Sequence, residues 1–155
     1  MQRWFFRLAS FYRDSRGAQV VELALLLPVL LMLVFGIIDF GRGFFSWVVI
    51  TNGAREGARA AAVGKDQPTV VGKVERSVSG LYVSAVESGT CTSAANGVLC
   101  VTGTNLGGLP DEPVTVTVRY NFSYIVLPNI LSWAGGSPLP GGVFPLTAQS
   151  TMRLE

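Results

Sequence analysis

Arg16-Gly17-Ala18-Gln19-Val20-Val21-Glu22 leads directly into Leu23-Ala24-Leu25-Leu26-Leu27-Pro28-Val29-Leu30-Leu31-Met32-Leu33-Val34-Phe35-Gly36-Ile37-Ile38, and Glu22 is the only charge between Gly17 and Asp39. At 1.5 Å per residue, a helix over residues 18–38 is roughly 31 Å long, close to the roughly 30 Å hydrocarbon thickness of a bilayer. Its fourteen Leu, Ile, Val and Phe residues each favour insertion by about 0.3–0.6 kcal/mol. One acid at mid-bilayer opposes it by about 2.5–3.5 kcal/mol. Insertion wins. Arg3, Arg7, Arg13 and Arg16 precede the stretch and only Arg42 follows it closely, so the basic bias puts the N-terminus in the cytoplasm and the rest of the chain outside.

Working outward, the whole chain of 155 residues is 49% hydrophobic and only 14% charged. That is more apolar than an ordinary soluble domain, and too short for more than one modest domain beyond the membrane segment. The net charge of +2 and the lack of a basic stripe interleaved with aromatics exclude nucleic acid as a partner. The positive surplus sits in residues 1–17, with four Arg against one Asp. This basic leader carries Arg3-Trp4-Phe5-Phe6-Arg7, a sequence suited to lie along the inner leaflet.

On the other side, the three- and four-residue apolar spacing continues through Phe40, Phe44, Trp47, Val48, Ile50 and Ala54, with no Pro before Pro68. The pattern predicts one helix from about Ala18 to about Val63, near 68 Å long. Ala58-Arg59-Ala60 has the small-x-small form of a secretory cleavage site, but it lies far beyond the apolar core that such a site normally follows closely. The helix is therefore expected to stay attached. Pro28 removes one helical hydrogen bond and is expected to kink the span. Gly36, Gly41 and Gly43 are candidates for close helix approach or for local flexibility. Asp39 and Arg42, three apart, can pair on one face, although solvated surface is the plainer reading.

Residues 65–155 read as a small outer domain. Lys65-Asp66-Gln67-Pro68 is a helix start; Val70, Val71, Val74 and Val78 mark one face, and Gly80 a stop. The period then changes to two in residues 81–86, 97–101, 114–120 and 146–154, which predicts a small antiparallel sheet. Residues 127–145, rich in Pro and Gly, are expected to be loop, and Asn96-Gly97 a turn. The fold class is thus α+β, a long transmembrane helix followed by a short helix and a small sheet. Cys91 and Cys100 are the only cysteines. Outside the cytoplasm they are expected to form a disulfide, since without any His two thiols cannot complete a metal site.

Gly17 followed by Glu22 as the fifth residue after it resembles the prepilin-peptidase site of type IV pilins and pseudopilins. The wider stretch from Arg16 to Leu30, with Phe35-Gly36-Ile37-Ile38-Asp39-Phe40-Gly41-Arg42 and Asn52-Gly53-Ala54-Arg55-Glu56-Gly57-Ala58-Arg59, is similar to the TadE-like family. Those proteins are minor pseudopilins of the tight-adherence (Tad, or Flp) pilus system. The resemblance implies cleavage between Gly17 and Ala18 by a prepilin peptidase, an inner-membrane location, and pilus subunits and an assembly platform as partners. Physical reasons agree: Gly17 leaves the scissile peptide open to a second backbone, and Glu22, about 6 Å along the helix from Ala18, can pair with the new α-amino group of a neighbouring subunit. Glu22 could instead simply complement the positive helix N-terminus.

Catalysis finds little in the sequence. There is no His, no G-x-S-x-G and no phosphate-binding glycine loop, and Asp111-Glu112 between Pro110 and Pro113 reads as a solvated loop. No enzyme activity, cofactor or metal is expected. The competing reading is a permanently signal-anchored binding or adhesion domain that never polymerises.

Overall fold

A computed structural model of the chain describes residues 15–126 and 142–155. The leader up to residue 14, and residues 127–141 of the expected loop, lie outside the described residues. Helix α1 runs from Ser15 to Ala62 without interruption, so the apolar stretch and the Ala-rich stretch after it are one element, as the spacing predicts. Pro28 sits inside it. Helix α2 follows at Gln67–Ser77, with Asp66 at its N-cap and Pro at its start, where a missing N–H costs no helical hydrogen bond. Its predicted apolar face is buried at Val70, Val74 and Val78.

Four strands follow: β1 (Ala85–Ser88), β2 (Val98–Thr104), β3 (Pro113–Ser123) and β4 (Val143–Arg153). They form one sheet in the order β1-β2-β3-β4. The α+β arrangement is therefore as read from the sequence, but the sheet is mixed. β2–β3 and β3–β4 are antiparallel, whereas β1 pairs with β2 in parallel, Ala85 opposite Val98 through Ser88 opposite Val101. The expected strand over residues 81–86 is displaced for a local reason. The Leu81 amide turns back to the Val78 carbonyl and the Ser84 amide to the Gly97 carbonyl, while the Tyr82 carbonyl accepts the Tyr120 hydroxyl at 2.8 Å. Those groups are then unavailable to a ladder. β4 also begins three residues before the expected start, with Pro145 opposite Asn121; the edge position accommodates a residue that has no N–H to donate.

The described chain divides into two compact units, which meet between Ile38 and Asp39. In the first, every large apolar side chain from Val20 to Val34 is exposed. In the second, one core joins the last part of α1 (Ile50, Ala54, Ala58 and Ala61), α2 and the inner faces of β2 and β3. Small residues let α1 approach closely. A Cβ on Gly57 would lie 2.7 Å from Val74 Cγ2 and 3.0 Å from Val116 Cγ1, and one on Gly53 would lie 3.0 Å from Val78 Cγ1. Ala58 and Ala60, the small residues of the secretory-like tripeptide, are buried in this core, so the segment is part of the folded unit.

The parallel pairing of β1 and β2 requires a crossover through residues 89–97, and four kinds of contact hold it. Cys91 and Cys100 form the expected disulfide. Buried Asn121 donates from Nδ2 to the carbonyls of Ser93 and Ala95, at 2.9 and 3.1 Å. Glu87 Oε2 accepts the amides of Thr92 and Ser93, and Thr102 Oγ1 donates to the Gly89 carbonyl. Asn96-Gly97 turns into β2 with Gly97 at φ 75°.

Candidate functional site

Gly17, Ala18 and Glu22 lie in the first turns of α1. Helix formation there follows from the run of Val, Leu and Ala with no break before Pro28; because α1 begins at Ser15 and its first turn holds no acid, Glu22 lies beyond the turn where the helix dipole acts. Nothing lies within 4 Å of where a Gly17 Cβ would be, and Ala18 and Glu22 are exposed. A side chain at Gly17, within α1, would thus meet no other described residue, and Glu22 is not engaged in any described ion pair. α1 is long and apolar enough to cross a membrane, with its most apolar window wholly unburied. A single N-terminal helix of this kind fits a single-pass membrane anchor.

Beyond the apolar stretch the structure shows a site whose burial the sequence reading missed. Asp39 is fully buried. Its Oδ2 accepts the Val126 amide at 2.9 Å, and its Oδ1 accepts the Ile125 amide at 3.3 Å and Arg42 Nη1 at 3.4 Å. Arg42 in turn lies over the Phe122 ring, 5.2 Å from its centroid, and Phe122 stacks edge-on against Tyr124. The pair that three-residue spacing allowed therefore fastens the end of β3 to α1. Spacing could suggest the Arg42 contact but not the two amides, which lie 86 and 87 residues away.

The other singled-out residues are dispersed. Gly36 and Gly41 have nothing within 4 Å, and Gly43 faces the Phe122 ring. Asp111 pairs with Arg153 in solvent at 2.8 Å, and Glu112 Oε2 accepts the Leu109 amide, so the two acids serve an exposed turn. A cleft of about 290 Å³ has charged walls from Glu56, Arg59, Lys65 and Lys73. Among the described residues no group of three or more His, Cys, Asp or Glu is placed to hold a metal ion. Burial raises the pKa of Tyr120, and the nearby Arg42 charge acts in the opposite sense.

Compared with known proteins, residues 17–59 match the family model of TadE-like proteins. The match starts at the glycine of the processing-like site and ends in the small-residue stretch that packs beneath the sheet. It agrees with the resemblance read from the residues and suggests a protein associated with the Tad pilus. No curated protein and no solved structure matches the chain.

Proposed function

We propose that this chain, TadE-like over residues 17–59, is a minor pseudopilin of the Tad/Flp pilus, cut between Gly17 and Ala18 by a prepilin peptidase and anchored in the inner membrane. The observation that carries the reading is the coincidence of three features in one helix: an uncovered Gly17, an exposed Glu22 five residues on, and an apolar stretch of membrane-crossing length. After cleavage the Ala18 amino group and Glu22 bring opposite charges to the same end of the helix, about 6 Å apart along it. Four residues apart, they share a helix face, so the opposite charges can pair within one subunit or, in an assembly, with a neighbour's complementary group. In a low-dielectric layer an unmatched charge is costly, which favours subunits docking in one axial register.

On this reading the protein acts by assembling rather than by catalysis, and the compact unit from Asp39 onward is displayed outside the cytoplasmic membrane. Its partners are the peptidase, the pilus subunits, the inner-membrane assembly platform and the lipid bilayer. The test is pilus production in cells carrying Glu22→Ala in place of the natural chain. Normal membrane levels with loss of Tad pili support an assembly role. Normal piliation in both the variant and a strain lacking the chain contradicts it.

A further inference from the structure

Five large exposed apolar side chains belong to the segments that the Asp39–Arg42 contact joins. Phe40, Phe44 and Trp47 occur on α1 at four- and three-residue spacing and are 74%, 57% and 46% exposed. Ile125, whose amide bonds Asp39, is 60% exposed, and Phe144, opposite Phe122 in the sheet register, is 52% exposed. Apolar residues scattered singly on a surface are ordinary, but five on segments that one buried contact joins point to a contact surface. Residues 36–54, 120–126 and 142–146 contain only two charges. One is Asp39, which is fully buried; the other is Arg42, paired with it.

We propose that this rim of Phe40, Phe44, Trp47, Ile125 and Phe144 is immersed in the outer headgroup region of the bilayer, so that the lipid-contacting part of α1 runs from about Leu23 to about Phe44. The proposal rests on the single-pass membrane reading. It commits to lipid because the rim continues the apolar stretch without an exposed acid, and because aromatic side chains concentrate at the membrane–water boundary. Residues 23–44 make about 33 Å of helix, matching the hydrocarbon layer of about 30 Å as well as residues 18–38 do. This register keeps Glu22 at the cytoplasmic edge of that layer, next to Leu23. Asp39, the acid it brings in, is shielded by two amides and a guanidinium, and Arg42 has the aliphatic stem to reach the headgroups.

The test uses the full chain in phosphatidylethanolamine–phosphatidylglycerol vesicles, with Trp4→Phe and Trp133→Phe leaving Trp47 as the only tryptophan, excited selectively over tyrosine. Two further chains add Trp47→Phe and carry Leu31→Trp or Phe144→Trp instead. Lipids brominated near the headgroup or near the chain end quench a tryptophan according to its depth. The proposal expects Trp47 and Phe144→Trp to be quenched more by headgroup-proximal bromine, and Leu31→Trp more by chain-end bromine. Quenching at Leu31→Trp alone, or there and at Trp47 but not at Phe144→Trp, overturns the immersed rim while leaving the anchor intact. That pattern gives the surface to water or another protein. Absence of quenching at all three positions overturns the anchor and the rim together.

Discussion

The amide of Val126 donates a 2.9 Å hydrogen bond to Oδ2 of Asp39, joining residues 87 apart in sequence. It is the longest-range member of the contact that fixes the end of β3 to the helix just past the apolar stretch. Removing the carboxylate strands two amides and one guanidinium. Breaking one side of a buried charged contact typically costs about 3–5 kcal/mol, and Arg42, partly exposed, places this case at the lower end. Asp39→Ala is expected to lower the Tm of the detergent-solubilised protein by on the order of 10 °C, and an unchanged Tm would show that the contact contributes nothing.

Gly57 and Gly36 sit in the same helix and respond oppositely to a methyl group. At Gly57 the added carbon meets Val74 and Val116 at 2.7 and 3.0 Å. Overpacking of that kind costs about 1–3 kcal/mol, against about 1 kcal/mol gained by helix propensity. At Gly36 nothing is within 4 Å. Gly57→Ala should therefore lower thermal stability while Gly36→Ala leaves it unchanged or raised, and paired melting curves check the difference.

Much of this architecture is legible in the sequence because the signals are strong and local. Lipid demands a long apolar helix, the valines of α2 recur with helical period, and β3 alternates as Val114, Val116 and Val118, all buried. What escapes is set by distant partners. Nothing near Asp39 announces that the amides of Ile125 and Val126, just past β3, will bond it. The parallel pairing of β1 escapes because the strand has only four residues, and its placement depends on Tyr120 capturing the Tyr82 carbonyl. The close approach at Gly53 and Gly57 did leave a trace, small residues in pairs at Gly53-Ala54 and Gly57-Ala58, one helical turn apart. The processing-like site is plain as a motif, whereas cleavage depends on a second protein.

The crossover between β1 and β2 depends on the disulfide and on Asn121 together. Closing about ten residues contributes roughly 2.7 kcal/mol in the chain-entropy account. Cys91→Ala with Cys100→Ala should lower the denaturation midpoint accordingly. Because Asn121 holds the same loop, combining these changes with Asn121→Ala should give a non-additive loss. Strict additivity in a double-mutant cycle would count against a shared role.

Tyr120 gives the fold an alkaline limit. Burial keeps its hydroxyl protonated to higher pH than the ordinary phenol value of 10.0, and the proton is donated to the Tyr82 carbonyl. Because the folded pKa is the higher one, this contribution is intact below pH 10.0 and is lost as pH rises through the folded value. Tyr120→Phe should cost about 1 kcal/mol at neutral pH and flatten the decline above the phenol range. Denaturation midpoints measured across that range compare the two proteins, and an identical alkaline decline in both would remove Tyr120 from the account.

Processing after Gly17 is the claim on which the functional reading turns. The most direct measurement is the N-terminal residue and intact mass of the membrane-extracted protein, from cells with and without the prepilin peptidase. The account predicts a chain starting at Ala18 only when the peptidase is present. A chain starting at Met1 in both strains would contradict it and leave a permanently anchored domain.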